Sequence, residues 1–378
     1  MRYTHHSKRN VFVRRQHMLE AHAADQSRRR KHRSAVIELA RSRFLRDSTY
    51  AQRAGRRASK TPRYFPAPEQ FNLSANAEET VKFLMQFRQW SSSTKYSRSF
   101  YVDLRPVRAI SPAGALLLAA ELHRWRLIYK RKMRAMDAGE WDTSVRNLLG
   151  DMGFFDLLDV DRSQLPVADQ NTRERIRFLP FKCGTNADTR PFVELRDMIE
   201  SYTGRLKQRL GLYQGVSEAI TNVLHHAYVK QNNLSRWWMS ASVNAEDSKL
   251  TVMVLDHGQG IPKTLPRTII ERIRKHLIVP KITSLSDDGE MIEAAVQLGR
   301  SSLKQANRGH GLQRDIQAAV QRFDGAARLR IYSNRGRYVF ERQFDGGTSE
   351  STATIAQSLD GTFIEWTFMI PQLGFRLT

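Results

Sequence analysis

Glu218, Asn222 and His226 stand four residues apart in the run Val216-Ser217-Glu218-Ala219-Ile220-Thr221-Asn222-Val223-Leu224-His225-His226-Ala227-Tyr228. On a helix they line one stripe, while Ile220, Val223 and Leu224 point elsewhere and can pack. Taken alone, such a run also describes an amphipathic core helix with polar edges. A second run follows 38 residues after Glu218. Residues 249–255 alternate and then turn wholly apolar, as a buried strand does, and end in Asp256-His257-Gly258-Gln259-Gly260-Ile261-Pro262. A carboxylate at a strand end can accept a hydrogen bond from an amine, and Gly258 and Gly260 let the backbone turn sharply and approach a ligand. The third run is Asn307-Arg308-Gly309-His310-Gly311-Leu312, ahead of a predicted helix over 313–323. Glycines before a helix N-terminus expose backbone N–H groups to an anion such as phosphate, and Arg308 adds a cation.

In this order the three runs resemble the N, G1 and G2 boxes of GHKL ATP-binding domains. That fold is shared by sensor histidine kinases, anti-sigma-factor kinases, gyrase B, Hsp90 and MutL. The resemblance covers residues 205–370, and the first run is especially similar to that of the anti-sigma-factor serine kinases. It implies a Bergerat-type α/β sandwich, a mixed sheet covered by helices, that binds ATP and Mg²⁺. By that resemblance Asn222 holds Mg²⁺ beside the triphosphate and Glu218 acts as general base on a water or hydroxyl. His226 contacts phosphate or packs, Asp256 accepts the adenine exocyclic amine, and Thr362, after Gly361 and before the last predicted strand, sits near the adenine. Gly258, Gly260, Ile261, Arg308, Gly309, Gly311 and Leu312 complete the nucleotide-binding set. One amide oxygen with phosphate oxygens and waters is a shell that suits Mg²⁺.

Residues 263–306 occupy the position of an ATP lid, with helical spacing at Ile269, Ile270, Ile273 and Leu277 and a polar stretch over 283–290. Gyrase B, MutL and Hsp90 follow this domain with a transducer that supplies a lysine, whereas this sequence ends at the last predicted strand. A self-contained ATP-driven clamp is therefore not expected. Nor is histidine autophosphorylation, because His123 is followed by Arg124-Trp125-Arg126 rather than the usual acidic residue. Two functions remain. One is ATP hydrolysis or serine/threonine phosphotransfer to a regulatory protein partner, with Glu218 as base. The other is a non-catalytic ATP-responsive switch that docks a protein or nucleic acid.

Upstream, the elements that must support this site alternate strand with helix and read as a small α/β domain, which makes the expected class of the whole chain α+β. Residues 76–89 have helical spacing through Val81, Leu84, Met85 and Phe87. Residues 99–104 read as a buried strand, 115–129 as an apolar helix, 132–135 as a charged strand and 143–158 as a second helix. Tyr101-Val102-Asp103-Leu104-Arg105-Pro106-Val107-Arg108-Ala109-Ile110-Ser111-Pro112-Ala113-Gly114, with the helix after it and the later Leu149-Gly150-Asp151-Met152-Gly153-Phe154-Phe155-Asp156-Leu157-Leu158, resembles a STAS domain. STAS members switched by phosphorylation carry a serine immediately before the glycine that opens the helix. Here that position is Ala113, and Ser111 lies two residues earlier, so the resemblance implies no phospho-acceptor.

The expected organisation is a basic arm over 1–65, a STAS-like domain over 66–165, a linker and helical layer over 166–204, and the ATP-binding domain over 205–378. Some strand character appears within the linker at 175–181. The arm carries 18 Lys/Arg against 4 Asp/Glu, a net +14 of the chain's +23. It is expected to grip nucleic acid or another polyanion, or to serve as a docking arm, through charge and without base specificity. A single cysteine, Cys183, excludes an intrachain disulfide and a cysteine-based zinc cluster. Mean hydropathy is −0.53, and the longest apolar run, residues 113–122, is too short to span a bilayer. A cytoplasmic protein, with homodimerisation left open, is the simplest expectation.

Overall fold

The computed structural model describes residues 67–91, 101–130, 132–160, 176–185, 209–222, 227–228, 234–265, 287–301 and 316–370, with isolated positions between 163 and 201. The arm over 1–65, His226, residues 266–286 of the expected lid, and the run 302–315 with Arg308, Gly309, Gly311 and Leu312 lie outside the described residues, as does the side chain of Asn222.

The first lobe opens with strand β1 (Gln70–Phe71) and helix α1 (Ala77–Ser91). α1 carries Glu78 and Glu79 in its first turn and Arg88 in its last, charges that suit the helix dipole, and buries Val81, Leu84 and Phe87 along one stripe. Strands β2 (Tyr101–Val102) and β3 (Ala109–Ile110) lead into helix α2 (Pro112–Tyr129). The Ser111 hydroxyl caps α2 by accepting from the Gly114 N–H, Pro112 sits in the first turn, and Lys130 closes the helix in the left-handed region. Ala113 is buried in the first turn of α2. Strand β4 (Met133–Ala135) and helix α3 (Thr143–Asp151), capped by Asp142, follow. The predicted helix over 143–158 is broken. Gly153 adopts φ +81, which only glycine takes easily, and the chain continues as a 3₁₀ turn over Phe154–Leu157 and strand β5 (Leu158–Asp159). β1 pairs in parallel with β3, and β2, β4 and β5 form a second parallel set.

The second lobe is built on an antiparallel sheet. Strands β6 (Ile176–Phe178) and β7 (Lys182–Gly184) come from the segment expected to be linker, yet both pair with β8 (Trp237–Asn244). Helix α4 (Arg209–Asn222) precedes β8, and β9 (Lys249–Asp256) follows it. A short helix α5 (Ile261–Thr264), helix α6 (Asp288–Ser301) and the turn of helix α7 (Ala318–Gln321) lead to strands β10 (Ala327–Arg342) and β11 (Thr348–Met369). The strand order is β10-β11-β9-β8-β6. The long β10–β11 hairpin was absent from the sequence reading, and the last strand begins well before residue 363. Gly361 and Thr362 lie inside it.

Period-two alternation divides the sheet into two buried faces. Met239, Val243, Leu250, Val252, Ile364 and Trp366 face α4, α6 and α7. Trp238, Met253, Leu255, Tyr332 and Phe363 face α1 and α2, in the same core as the interior of the first lobe. The Tyr332 hydroxyl donates to the Leu73 carbonyl at 3.0 Å across that junction. Core residues of both lobes fall in one cluster, and Pro62–Thr378 is a single compact unit. α6 falls within the expected lid, yet Ile292, Ala295 and Val296 bury it against the sheet. Their spacing of three and four makes an apolar stripe, so this part of the segment is core.

Candidate functional site

β9 ends with Asp256 directed to the same face as Val252 and Val254, because the strand alternates to its last residue. Four strands meet there in register: Asp256 pairs with Thr362 of β11 on one side and Trp237 of β8 on the other, and Thr362 pairs with Ser333 of β10. The result is a row of a carboxyl and two hydroxyls along the sheet end. The Ser333 and Thr362 hydroxyl oxygens are 3.1 Å apart, and Ser333 also donates to the Gly361 carbonyl at 3.0 Å. Asp256 is 4% exposed. It accepts from the Gly258 N–H at 2.6 Å and from Thr362, and no cationic side chain among the described residues pairs with it. Burial pushes its pKa up to about 7 against these hydrogen bonds. Nearby, burial and then the Asp256 charge push the Tyr228 phenol up to about 12. That hydroxyl donates to the Arg236 carbonyl and accepts from the His257 N–H, at 2.9 and 3.2 Å.

The loop after Asp256 is drawn tight by the backbone around it. The Gln259 N–H donates to the Ala227 carbonyl at 2.7 Å, and the Asn334 amide donates to the Gln259 carbonyl at 3.0 Å. The Ile261 N–H donates to the Ser333 hydroxyl at 2.8 Å, while the Ile261 side chain joins the core. A Cβ at Gly258 would lie 2.3 Å from the Ala227 carbonyl oxygen, and one at Gly361, held at φ +92, would lie 2.0 Å from the Asp256 carbonyl oxygen. Neither position admits a side chain. Gly258→Ala should therefore lower the melting temperature and weaken any ligand held by this loop by about tenfold or more, since overpacking costs about 1–3 kcal/mol. Thermal melts alongside a binding titration check this, and an unchanged pair of values would show the loop to be slack.

Asp256 thus bonds to Gly258 and Thr362, while Gly260 and Ile261 lie against Ser333, itself 3.1 Å from Thr362. Glu218 is half-buried on α4, off the stripe of Leu212, Val216, Ala219 and Ile220 that enters the core. Asn222 is the last residue of α4, and that helix packs on α7 and β9. No group of three or more metal-ligating side chains forms among the described residues. The sequence reading missed Ser333 and Asn334, and it placed Tyr228 in the first run without giving it a role. Asn334 carried one signal, since at φ +51 it takes a left-handed conformation that asparagine tolerates better than most residues.

On the opposite side of the sheet His257 is buried against Trp238, with ring centroids 4.7 Å apart, and its Nε2 lies 3.3 Å from Glu121 Oε1. Burial, then Arg88 and Arg124, hold its pKa well below the ordinary value, so it is a neutral donor to Glu121. Arg88 Nε and Nη2 donate to the same Glu121 oxygen, and Arg88 Nη1 donates to Asp360 at 2.7 Å. His123 accepts from Trp238 Nε1 at 3.1 Å, and burial, with Arg236 and Arg126, lowers its pKa to about 4. This histidine packs between the lobes.

No family model matches the sequence, and no curated protein matches it. Among solved structures the chain is similar to the B-subunit of the DNA gyrase from Myxococcus xanthus, with 8% identity, a TM-score of 0.23, and coverage of 49% of this chain and 44% of that one. It is also similar to the topoisomerase IV ATP binding domain of Francisella tularensis in complex with a small-molecule inhibitor, with 12% identity, a TM-score of 0.24, and coverage of 51% and 75%. The chain spans less than half the length of the gyrase subunit. Neither likeness is close enough to carry a functional conclusion. No helix among the described residues is long and apolar enough to cross a membrane.

Proposed function

We propose that the chain binds ATP with Mg²⁺ at the Asp256 pocket in the manner of a GHKL domain. The observation that carries this reading is the Asp256-Thr362-Ser333 row. A buried carboxyl without a cationic partner among the described residues, beside two hydroxyls, matches the edge of a planar base that offers an amine next to a ring nitrogen. The amine donates to Asp256, and a hydroxyl serves the ring nitrogen. Gly258 and Gly260 let the loop close tightly on the strand end, since a Cβ there would run into Ala227 and into Asn334 and Ser333. Asn222, at the end of α4, is the proposed Mg²⁺ ligand beside the triphosphate, and the metal would neutralise phosphate charge there. Arg308, Gly309, Gly311 and Leu312 are the proposed phosphate-side contacts, with His226 beside them.

Glu218 is the proposed general base, one helical turn before Asn222. It would take the proton from a water in hydrolysis or from a serine or threonine hydroxyl in phosphotransfer. The test is ATP titration and turnover with Mg²⁺. Glu218→Gln should bind ATP within about threefold of wild type and lose about 10²–10⁴-fold in turnover, the usual worth of a positioned base. Equal turnover would remove Glu218 from that role, and absence of ATP binding by the wild-type chain would overturn the reading as a whole. A non-catalytic switch is the second reading. It is favoured by the Arg88–Asp360 contact, which ties the first lobe to the residue two before Thr362. The STAS-like character of the first lobe, and a protein or polyanion partner for the arm over 1–65, belong to the same proposal.

A further inference from the structure

Lys82, Gln86, Arg88, Arg124, Gln357 and Asp360 line a cleft of about 570 Å³ where α1, α2 and β11 meet, on the face of the sheet away from the Asp256 carboxyl. That volume lies in the range of small-molecule sites. Arg88 is committed to Glu121 and Asp360. Arg124 and Lys82 have no hydrogen-bond or ion-pair partner among the described residues. Burial holds Arg124 below its ordinary pKa, the Arg88 charge adds to that, and the Glu121 and Asp360 carboxylates oppose it. The cleft therefore presents a half-buried guanidinium and an ammonium flanked by glutamine amides.

We propose that this cleft is a second ligand site, for a small organic anion whose carboxylate or phosphate group is gripped by Arg124 and Lys82, and that its occupancy is coupled to the Asp256 pocket through Arg88 and Asp360. The binding clause stands alone, and the coupling clause rests on the nucleotide reading above. A guanidinium fork matches the paired oxygens of a carboxylate or phosphate, and the amides of Gln86 and Gln357 supply further donors. The coupling follows from a bulge. Asn334 and Ser333 are consecutive on β10, but their partners on β11 are Leu359 and Thr362, so Asp360 and Gly361 are the two extra residues between them. Bulges re-aim side chains beside functional sites. Here Arg88 pins the bulge at Asp360, while Gly361 lies against the Asp256 carbonyl and accepts from Ser333.

The two carboxylates on Arg88 are unequal. The Glu121 side chain is 3% exposed and the Asp360 side chain 50% exposed. A half-exposed ion pair is weakly held. An anion in the cleft competes with Asp360 for Arg88, frees the bulge, and loosens the Thr362 end of the carboxyl-hydroxyl row. Anion and nucleotide then oppose each other, by the same factor in either direction.

The experiment is calorimetric titration with succinate and with inorganic phosphate, which separates carboxylate from phosphate chemistry, followed by ATP and Mg²⁺ titration with and without saturating anion. Wild type should bind at least one probe, Arg124→Gln should weaken that binding at least about tenfold, and ATP affinity of Arg124→Gln without anion should match wild type. Saturating anion should weaken ATP binding about fivefold in wild type and leave Arg124→Gln and Asp360→Asn unaffected. Probe binding that is absent in wild type, or unchanged in Arg124→Gln, overturns the site. If wild type binds the probe but not ATP, the nucleotide reading is what fails. Amide hydrogen exchange over residues 355–362 then decides the coupling. A rise on adding anion to wild type but not to Arg124→Gln supports release of the bulge, and no rise overturns it.

Discussion

Asp256→Asn is expected to weaken ATP binding by about 100-fold while leaving the chain folded. A hydrogen bond to a charged group contributes about 1.5–3 kcal/mol, and the new amide can turn its own N–H toward the adenine amine. The substitution also separates binding from stability. The Asp256 carboxyl has its pKa raised from 3.8 to about 7 by burial, so the folded state holds this proton more tightly than the unfolded chain does. A raised carboxyl pKa destabilises the fold as pH rises. The loss starts near pH 4 and is complete above about pH 7, on the order of 4 kcal/mol over the window. Asparagine carries no charge at any of these values. Asp256→Asn should therefore be at least as stable as wild type at pH 8, with a flatter stability curve between pH 4 and 7, while binding ATP about 100-fold more weakly. Denaturant unfolding across pH, beside a binding titration at one pH, checks both halves. Tight ATP binding by the variant would show that the base is read elsewhere.

Arg88→Met is expected to destabilise the chain by about 3–5 kcal/mol, the cost of leaving one member of a buried pair uncompensated. Glu121 sits 3% exposed on α2, its Oε1 accepting from Arg88 and lying beside His257 Nε2, and its Oε2 is buried without a hydrogen-bond partner among the described residues. Removing the guanidinium strands that carboxylate against the sheet. The melting temperature should fall by about 10 °C. Adding Glu121→Gln removes the charge and should recover most of the loss, because an ion pair replaced whole costs far less than one that is halved. If the double variant melts no higher than Arg88→Met, the carboxylate is not what Arg88 supports.

The Asp256 loop was legible because two periodicities change at one point. Residues 249–255 read as a strand, and Asp256, Gly258 and Gly260 follow at its end. Thr362 was legible through the glycine before it, although the strand around it runs from Thr348 rather than from 363. Ser333 was not, because a small polar residue within an alternating strand looks like any other, and its role depends on register with Thr362. The Arg88-Glu121-His257 cluster left one sign, a glutamate inside an otherwise apolar stretch of helix. Nothing local shows which charges come to meet it. The predicted single helix over 143–158 failed at Gly153, where a left-handed turn outweighs the apolar spacing that continues through Phe154 and Leu157. Within the expected lid, the polar stretch over 283–290 hid the Ile292-Ala295-Val296 stripe that docks α6 on the sheet.

The shared core also sets an order of assembly during synthesis. α1 and α2 leave the ribosome long before β9 and β11 exist to cover them, and the Arg88–Asp360 bond closes across 272 residues. Until then Leu116, Leu118 and Leu122 of the nascent first lobe lack the Trp238, Met253 and Phe363 side of their core. Domains that complete their cores alone fold as they emerge, whereas contacts of such sequence separation form slowly and leave apolar surface open to aggregation. Commitment to the native state therefore waits for the last strand. A nascent chain stalled before residue 348 should be protease-sensitive in the first lobe as well as in the second.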